Sequence, residues 1–166
     1  MAAKKNKKKK PKATGPFRRV VAENRKARYE YEILDTLECG IALVGSEVKS
    51  LREGRVSLNE AYAKVKNGEV WLLNCDIAEY KHANQFNHER RRPRKLLLHR
   101  REIRKFAAQA AEKGLTLVPL KIYFNQRGLA KVQLALCRGK RVFDKREAMK
   151  RRESQREMLR LLHRRR

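Results

Sequence analysis

The apolar residues of this chain come in strand-length runs that end at Gly or Asn, and that spacing limits the fold more than any other feature. Ile41-Ala42-Leu43-Val44 stops at Gly45, Val70-Trp71-Leu72-Leu73 at Asn74, and the run from Leu115 to Phe124 at Asn125. Short runs bounded in this way predict a small, mainly β domain. None approaches the roughly 18 to 20 apolar residues of a membrane span.

Within that domain, Ala61, Ala63 and Val65 alternate with Tyr62 and Lys64 up to Asn67-Gly68, and the apolar pattern returns at Val70. An Asn-Gly step between alternating segments predicts a tight hairpin. Leu115 to Phe124 and Leu129 to Leu136 predict a second hairpin through Asn125-Gln126-Arg127-Gly128, with Pro119 marking an edge or a bulge. Tyr29 to Leu37 and Ile41 to Val44 read as two further strands around Gly40. Val48 to Leu51 followed by Arg52-Glu53-Gly54 reads as a single helical turn presenting Lys49, Arg52 and Arg55. Residues 79–94 are polar and basic, which predicts a long exposed loop. Leu96 to Ala111 carries an apolar stripe ending at Gly114, which predicts a helix of about four turns covering the open side of a barrel.

Both ends differ from this middle. Residues 1–22 are Lys-rich and lack apolar periodicity, so they cannot bury enough surface to offset the entropy of ordering and are expected to form a disordered basic arm. Residues 23–143 form the expected barrel domain. Residues 144–166 contain strong helix formers, no Gly and no Pro, but only scattered apolar side chains. Such a segment is expected to become helical on a polyanionic surface that relieves its own repulsion. The whole chain carries 44 Lys and Arg against 18 Asp and Glu, a formal net charge of +26, for which phosphate-rich nucleic acid is the natural counterpart. Lys4 to Lys10 lead into Pro11, not into an apolar segment and cleavage site, so the expected location is the cytoplasm, with no membrane partner. Cys39, Cys75 and Cys137 show no C-x-x-C spacing and no pairing with the histidines at metal-ligand intervals, so neither metal nor any other cofactor is expected.

Several stretches together resemble the small protein B family. They are Asn24-Arg25-Lys26-Ala27-Arg28, Gly45-Ser46-Glu47-Val48-Lys49-Ser50-Leu51-Arg52-Glu53-Gly54, Arg94-Lys95-Leu96-Leu97-Leu98, Lys113-Gly114-Leu115-Thr116-Leu117-Val118-Pro119-Leu120 and Asp144-Lys145-Arg146. They occur in the family's order and at its spacing, across roughly residues 23 to 150. The resemblance implies an OB-fold-like antiparallel β-barrel with flanking helices and a basic C-terminal tail. It also implies a function: binding the tRNA-like domain of tmRNA and delivering it to stalled ribosomes for trans-translation, in which the rescued peptide is tagged for proteolysis.

By position, the resemblance implicates Asn24, Lys26, Arg28, Lys49, Arg52 and Lys131 in meeting the elbow of the tRNA-like domain. Arg94, Lys95, Arg138, Lys140 and Arg141 extend the expected RNA-binding set. Charge alone would equally describe Lys49, Arg52 and Arg55 as a solvated helix face. Glu38 is an acid on a basic face, where a lone carboxylate costs binding unless it accepts a hydrogen bond from a base or orients a cation. The family has an acid there that is linked to RNA binding; without that, it reads as a surface carboxylate at a strand end. Leu98 aligns with a family position associated with tmRNA, although its place in a Leu run suggests core and an indirect effect. In the tail, Asp144, Lys145, Arg146, Lys150 and Arg151 are expected to contact the ribosome along the empty mRNA path near the small-subunit decoding centre of the stalled 70S particle. Leu161 and Leu162 match an apolar pair that the family needs there. Tyr29 stands where some relatives have His, and Ser154 where some have Trp.

No Gly-rich phosphate loop, G-x-S-x-G sequence or His-rich helix is present. Glu38, Glu47 and Asp76 could serve a Mg²⁺ nuclease only with supporting neighbours, which the sequence does not offer, so no enzyme is expected. The rival reading is a ribosomal or general RNA-chaperone protein, whose charge and barrel would look alike. A monomer is expected, since heptads are lacking.

Overall fold

The computed structural model describes residues 19–83, 87–111, 114–141, 153–158 and 162. Its elements in chain order are β1 (Arg19–Glu23), α1 (Ala27–Glu30), β2 (Tyr31–Ile41), α2 (Gly45–Arg52), β3 (Val56–Ser57), β4 (Tyr62–Lys66), β5 (Glu69–Leu73), β6 (Asp76–Ile77), β7 (Arg94–Leu97), α3 (Arg100–Ala110), β8 (Leu115–Phe124) and β9 (Ala130–Gly139). Seven strands form one antiparallel sheet in the order β1-β8-β4-β5-β7-β2-β9. An additional pairing of β8 with β9 closes the sheet into a ring, and β1 pairs with the far end of β8, on the edge whose near end pairs with β4. β3 and β6 form a separate two-stranded sheet.

The core lies inside the ring. Cys39 and Ile41 from β2, Ala63 from β4, Val70 and Leu72 from β5, Leu96 from β7, and Val132, Leu134 and Leu136 from β9 alternate inward, with Leu51 of α2 and Phe106 of α3 added. A smaller cluster forms outside the ring, where α1 places Ala27 against Val118, Leu120, Ala135 and Cys137. β9 serves both clusters by simple alternation, Leu134 and Leu136 facing in and Ala135 and Cys137 facing out, whereas β8 changes its alternation part-way: Val118 and Leu120 face out, Ile122 and Phe124 face in, and the register of β8 on β9 shifts between Pro119 and Lys121. Pro119 therefore sits at a bulge, as expected, though in a strand with neighbours on both sides. β2 makes the same change between Ile33 and Asp35, which turns Leu37 and Cys39 inward and Glu38 outward.

Both predicted hairpins form. Asn67 and Gly68 have φ of 53° and 71°, the left-handed pair that lets β4 turn directly into β5. Four expectations need correction. The arm does not reach residue 22, because Arg19–Glu23 pairs with β8. The two strands expected around Gly40 are one strand ending at Ile41, followed by residues 42–44 outside any strand. The helical turn near Val48 is an eight-residue helix. The expected four-turn helix from Leu96 is split, with Leu96 and Leu97 in β7 and an 11-residue α3 beginning at Arg100. The His99 amide donates to the Glu102 carboxylate at 2.9 Å, which fixes that start. In the tail, residues 153–158 are helical and exposed, whereas Asp144, Lys145, Arg146, Lys150, Arg151 and Leu161 lie outside the described residues. Among the described residues no helix is long and apolar enough to cross a membrane.

A side chain at position 68 would meet no atom within 4 Å, so its cost comes from the backbone alone. Gly68→Ala is expected to destabilise the fold by about 1 kcal/mol. Thermal unfolding would show this as a Tm lowered by about 4 °C.

Candidate nucleic-acid interface

The outward turn of Glu38 builds the first part of the site. β9 lies between β2 and β8, so Gln133 stands opposite both Glu38 and Lys121, and Lys131 stands opposite both Gly40 and Tyr123. The Tyr123 hydroxyl donates to the Glu38 carboxylate, and the Lys131 ammonium lies 3.9 Å from the other carboxylate oxygen. The Lys121 ammonium sits 5.8 Å from the Tyr123 ring centroid. Glu38 thus orients a tyrosine and a lysine on a basic face. Tyr123 is 1% exposed and was not picked out from the sequence, because its partner lies on a distant strand.

Further along the same strands, β9 runs out beside α1. The Lys140 ammonium donates to the Arg28 carbonyl at 3.0 Å and the Lys140 amide to the Glu30 carbonyl at 3.0 Å, bringing Arg28 and Lys140 together. Lys26, Arg138 and Arg141 are exposed nearby in sequence and fold. Asn24 is different. It is 4% exposed, its amide group donates to the Leu58 carbonyl at 3.0 Å, and its side-chain oxygen accepts the Ala27 amide at 3.0 Å. The Asn24 side chain is thus committed within the protein, as a staple that holds the start of α1.

The second part of the site is α2 with the segment after β6. Lys49 and Arg52 are exposed on α2, and the Lys49 ammonium lies 5.2 Å from the Tyr80 ring centroid. Tyr80 is held by Asn87, whose side chain accepts the Tyr80 amide at 3.2 Å and donates to its carbonyl at 3.0 Å. His88 is 7% exposed; one ring nitrogen faces the Ser46 hydroxyl at 3.0 Å and the other the Ile77 carbonyl at 3.1 Å. A cleft of about 600 Å³ opens between these groups and Arg92.

Arg94 lies behind this cleft, not on a surface. It is fully buried, where the sequence reading expected an RNA contact. Its guanidinium donates to Glu47 at 2.8 Å and to the carbonyls of Cys75 at 2.6 Å, Arg90 at 3.0 Å and Arg92 at 3.2 Å. Arg92 grips the same carboxylate with two bonds of 2.7 Å, and the Val44 amide donates to it at 2.9 Å. Burial alone would raise the Glu47 carboxyl, but the bonds from Arg92, Val44 and Arg94 outweigh it and hold the carboxyl below its unperturbed 4.5. Lys95 pairs with Glu69, and Leu98 packs against the main core. Leu162 is 58% exposed.

Burial pushes the Cys39 thiol up to about 12 and those of Cys75 and Cys137 to about 11, which keeps all three protonated at neutral pH. Among the described residues no group of three His, Cys, Asp or Glu could hold a metal ion.

This arrangement of outward cations, oriented by single acids on a closed ring, coincides with a family match: the SmpB protein family covers residues 21–164. The chain belongs to the SmpB family. The SsrA-binding protein of Rhodopirellula baltica is 58% identical over 144 residues, covering 87% of this chain and 82% of that relative. The SsrA-binding protein of Methylobacterium sp. (strain 4-46) is 59% identical over 152 residues, covering 92% and 96%. Among solved structures, a chain from "tmRNA-SmpB: a journey to the center of the bacterial ribosome" superposes with a TM-score of 0.63 at 53% identity, covering 77% of this chain and 93% of that one. Matches this long place Glu38, Glu47 and Arg94 inside the region shared with other SmpB proteins.

Removing the Glu47 charge leaves two guanidiniums without their acid. Glu47→Gln is expected to cost about 3–5 kcal/mol at pH 7 in urea unfolding. Because the folded carboxyl titrates below its unfolded value, the contribution is complete at neutral pH and is lost as pH falls through the lower folded value. The gap between variant and parent should therefore close under acid conditions.

Proposed function

We propose that this protein binds the tRNA-like domain of tmRNA and delivers it to stalled bacterial ribosomes for trans-translation, contributing recognition and not catalysis. The observation that carries the reading is the SmpB family match over residues 21–164, with named relatives that are SsrA-binding proteins. The ring works as an oligonucleotide-binding-type barrel, a platform suited to RNA loops and single strands. Lys131, Lys121 and Arg28 meet phosphates, and Glu38 fixes the geometry of Lys131 and Tyr123 for the folded RNA. Lys49 and Arg52 form a second set of contacts on α2. Asn24 and Arg94 act through position, as does Leu98. The tail, including Asp144, Lys145, Arg146, Leu161 and Leu162, enters the empty mRNA path near the decoding centre of the small subunit. The protein works as a cytoplasmic monomer.

The deciding experiment measures affinity for the tRNA-like domain at physiological salt with excess bulk tRNA, for the full chain and for residues 1–143. Tight, selective binding by both, with tagging on stalled ribosomes supported only by the full chain, is the expected result. Equal competition by bulk tRNA would replace this reading with a general RNA-binding or ribosomal role. Lys131→Ala is expected to weaken binding and to reduce the log–log salt slope by about 1, the signature of one lost phosphate contact.

A further inference from the structure

We infer that the outer face of β4, β5 and β7, centred on Trp71, is a separate contact for single-stranded RNA, stacking one unpaired base on the indole and holding adjacent phosphates with Lys64 and Lys66. Strand register assembles the face. Lys64 stands opposite Trp71 on β4, Lys95 stands opposite it on β7, and Lys66 stands opposite Glu69. Ala63, Val70, Leu72 and Leu96 point into the core, so the residues alternating with them share the outer surface.

A cleft of about 570 Å³ opens there, with Trp71, Leu73 and Pro93 as its apolar wall and Lys64 and Lys66 at its rim. Glu69 is committed to Lys95, and Lys64 and Lys66 pair with no carboxylate among the described residues. An apolar cleft could in principle take a protein side chain. Two unneutralised ammonium groups on a chain of net charge +26 decide for a polyanion, and a half-buried indole offers the sequence-tolerant stacking surface that single strands use. In the ring, β4 lies across from β2 and β5 across from β9. The Trp71 face is therefore distinct from the Glu38–Lys131 face and does not depend on the tmRNA reading.

Trp71 is the single tryptophan of the chain, so its emission reports on this cleft. Titrating the full protein with an end-labelled uridylate decamer gives two readouts, anisotropy for binding and tryptophan emission for occupancy of the cleft. Binding should quench the emission. The double variant Lys64→Ala/Lys66→Ala should bind about tenfold more weakly, with a salt slope shallower by roughly 1.4, the value for two phosphates of a single strand. Trp71→Phe, which keeps a stacking ring, should retain affinity to within about threefold while Trp71→Ala loses about tenfold or more. Matching far-UV circular dichroism of parent and variants ties these losses to the surface. The proposal is overturned if the decamer does not bind, if it binds with emission unchanged, if the double lysine variant binds as the parent does, or if inorganic polyphosphate quenches as fully as the decamer. The competition experiment with the tRNA-like domain reads a different ligand, so the two proposals fail independently.

Discussion

One buried carboxylate organises a large part of the surface. Glu47 gathers Arg92, Arg94 and the amide at the start of α2. Arg94 in turn satisfies carbonyls at Cys75, Arg90 and Arg92, groups in a stretch with little ladder bonding of its own. Peptide groups near a core need such partners, so the guanidinium does for this segment what a neighbouring strand would do elsewhere. Its consequences run in both directions along the chain. On one side Arg92 forms a wall of the α2 cleft, and on the other Arg94 starts β7, which sets where Pro93 and Lys95 stand. An arginine in the middle of a basic signature thus shapes two surfaces while belonging to neither.

The acids of this molecule act as locators among many cations. Glu38 sits between Tyr123 and Lys131, Glu69 holds Lys95, Asp76 takes two bonds of 3.0 Å from Arg90, and Asp35 holds Lys105 at 2.9 Å. At the surface such pairs contribute little to stability. Their effect is to restrict where a long flexible cation points, which matters to a binding face that has to match a fixed pattern of phosphates.

What the sequence disclosed and what it concealed divide along one physical line. Features set by neighbouring residues were readable: the Asn67-Gly68 turn, the Asn125 to Gly128 turn, the irregularity at Pro119. Features set by distant partners were not. Leu96 and Leu97 carry a helical-looking pattern, but β5 and β2 on either side draw them into the sheet. Asn24 and Arg94 look like surface polar residues until Leu58 and Glu47 are brought beside them. The inward–outward change in β2 leaves no local mark, yet it decides that Glu38 faces out. Tyr123 and His88 were hidden for the same reason, since the partners of their side chains, Glu38 for one and Ser46 and Ile77 for the other, are distant in sequence.

Closure of the ring has a kinetic side. Tyr31 pairs with Gly139, and β9 is held on one flank by the earliest strand of the ring and on the other by β8. Until β9 joins, both β2 and β8 present long open edges with apolar residues on each face, the geometry that invites pairing with other chains. Folding dominated by such distant contacts is slow compared with local hairpin formation. A chain of this family cut short before residue 130 would therefore be a hazard as well as a loss, with two adhesive edges and no strand to close them.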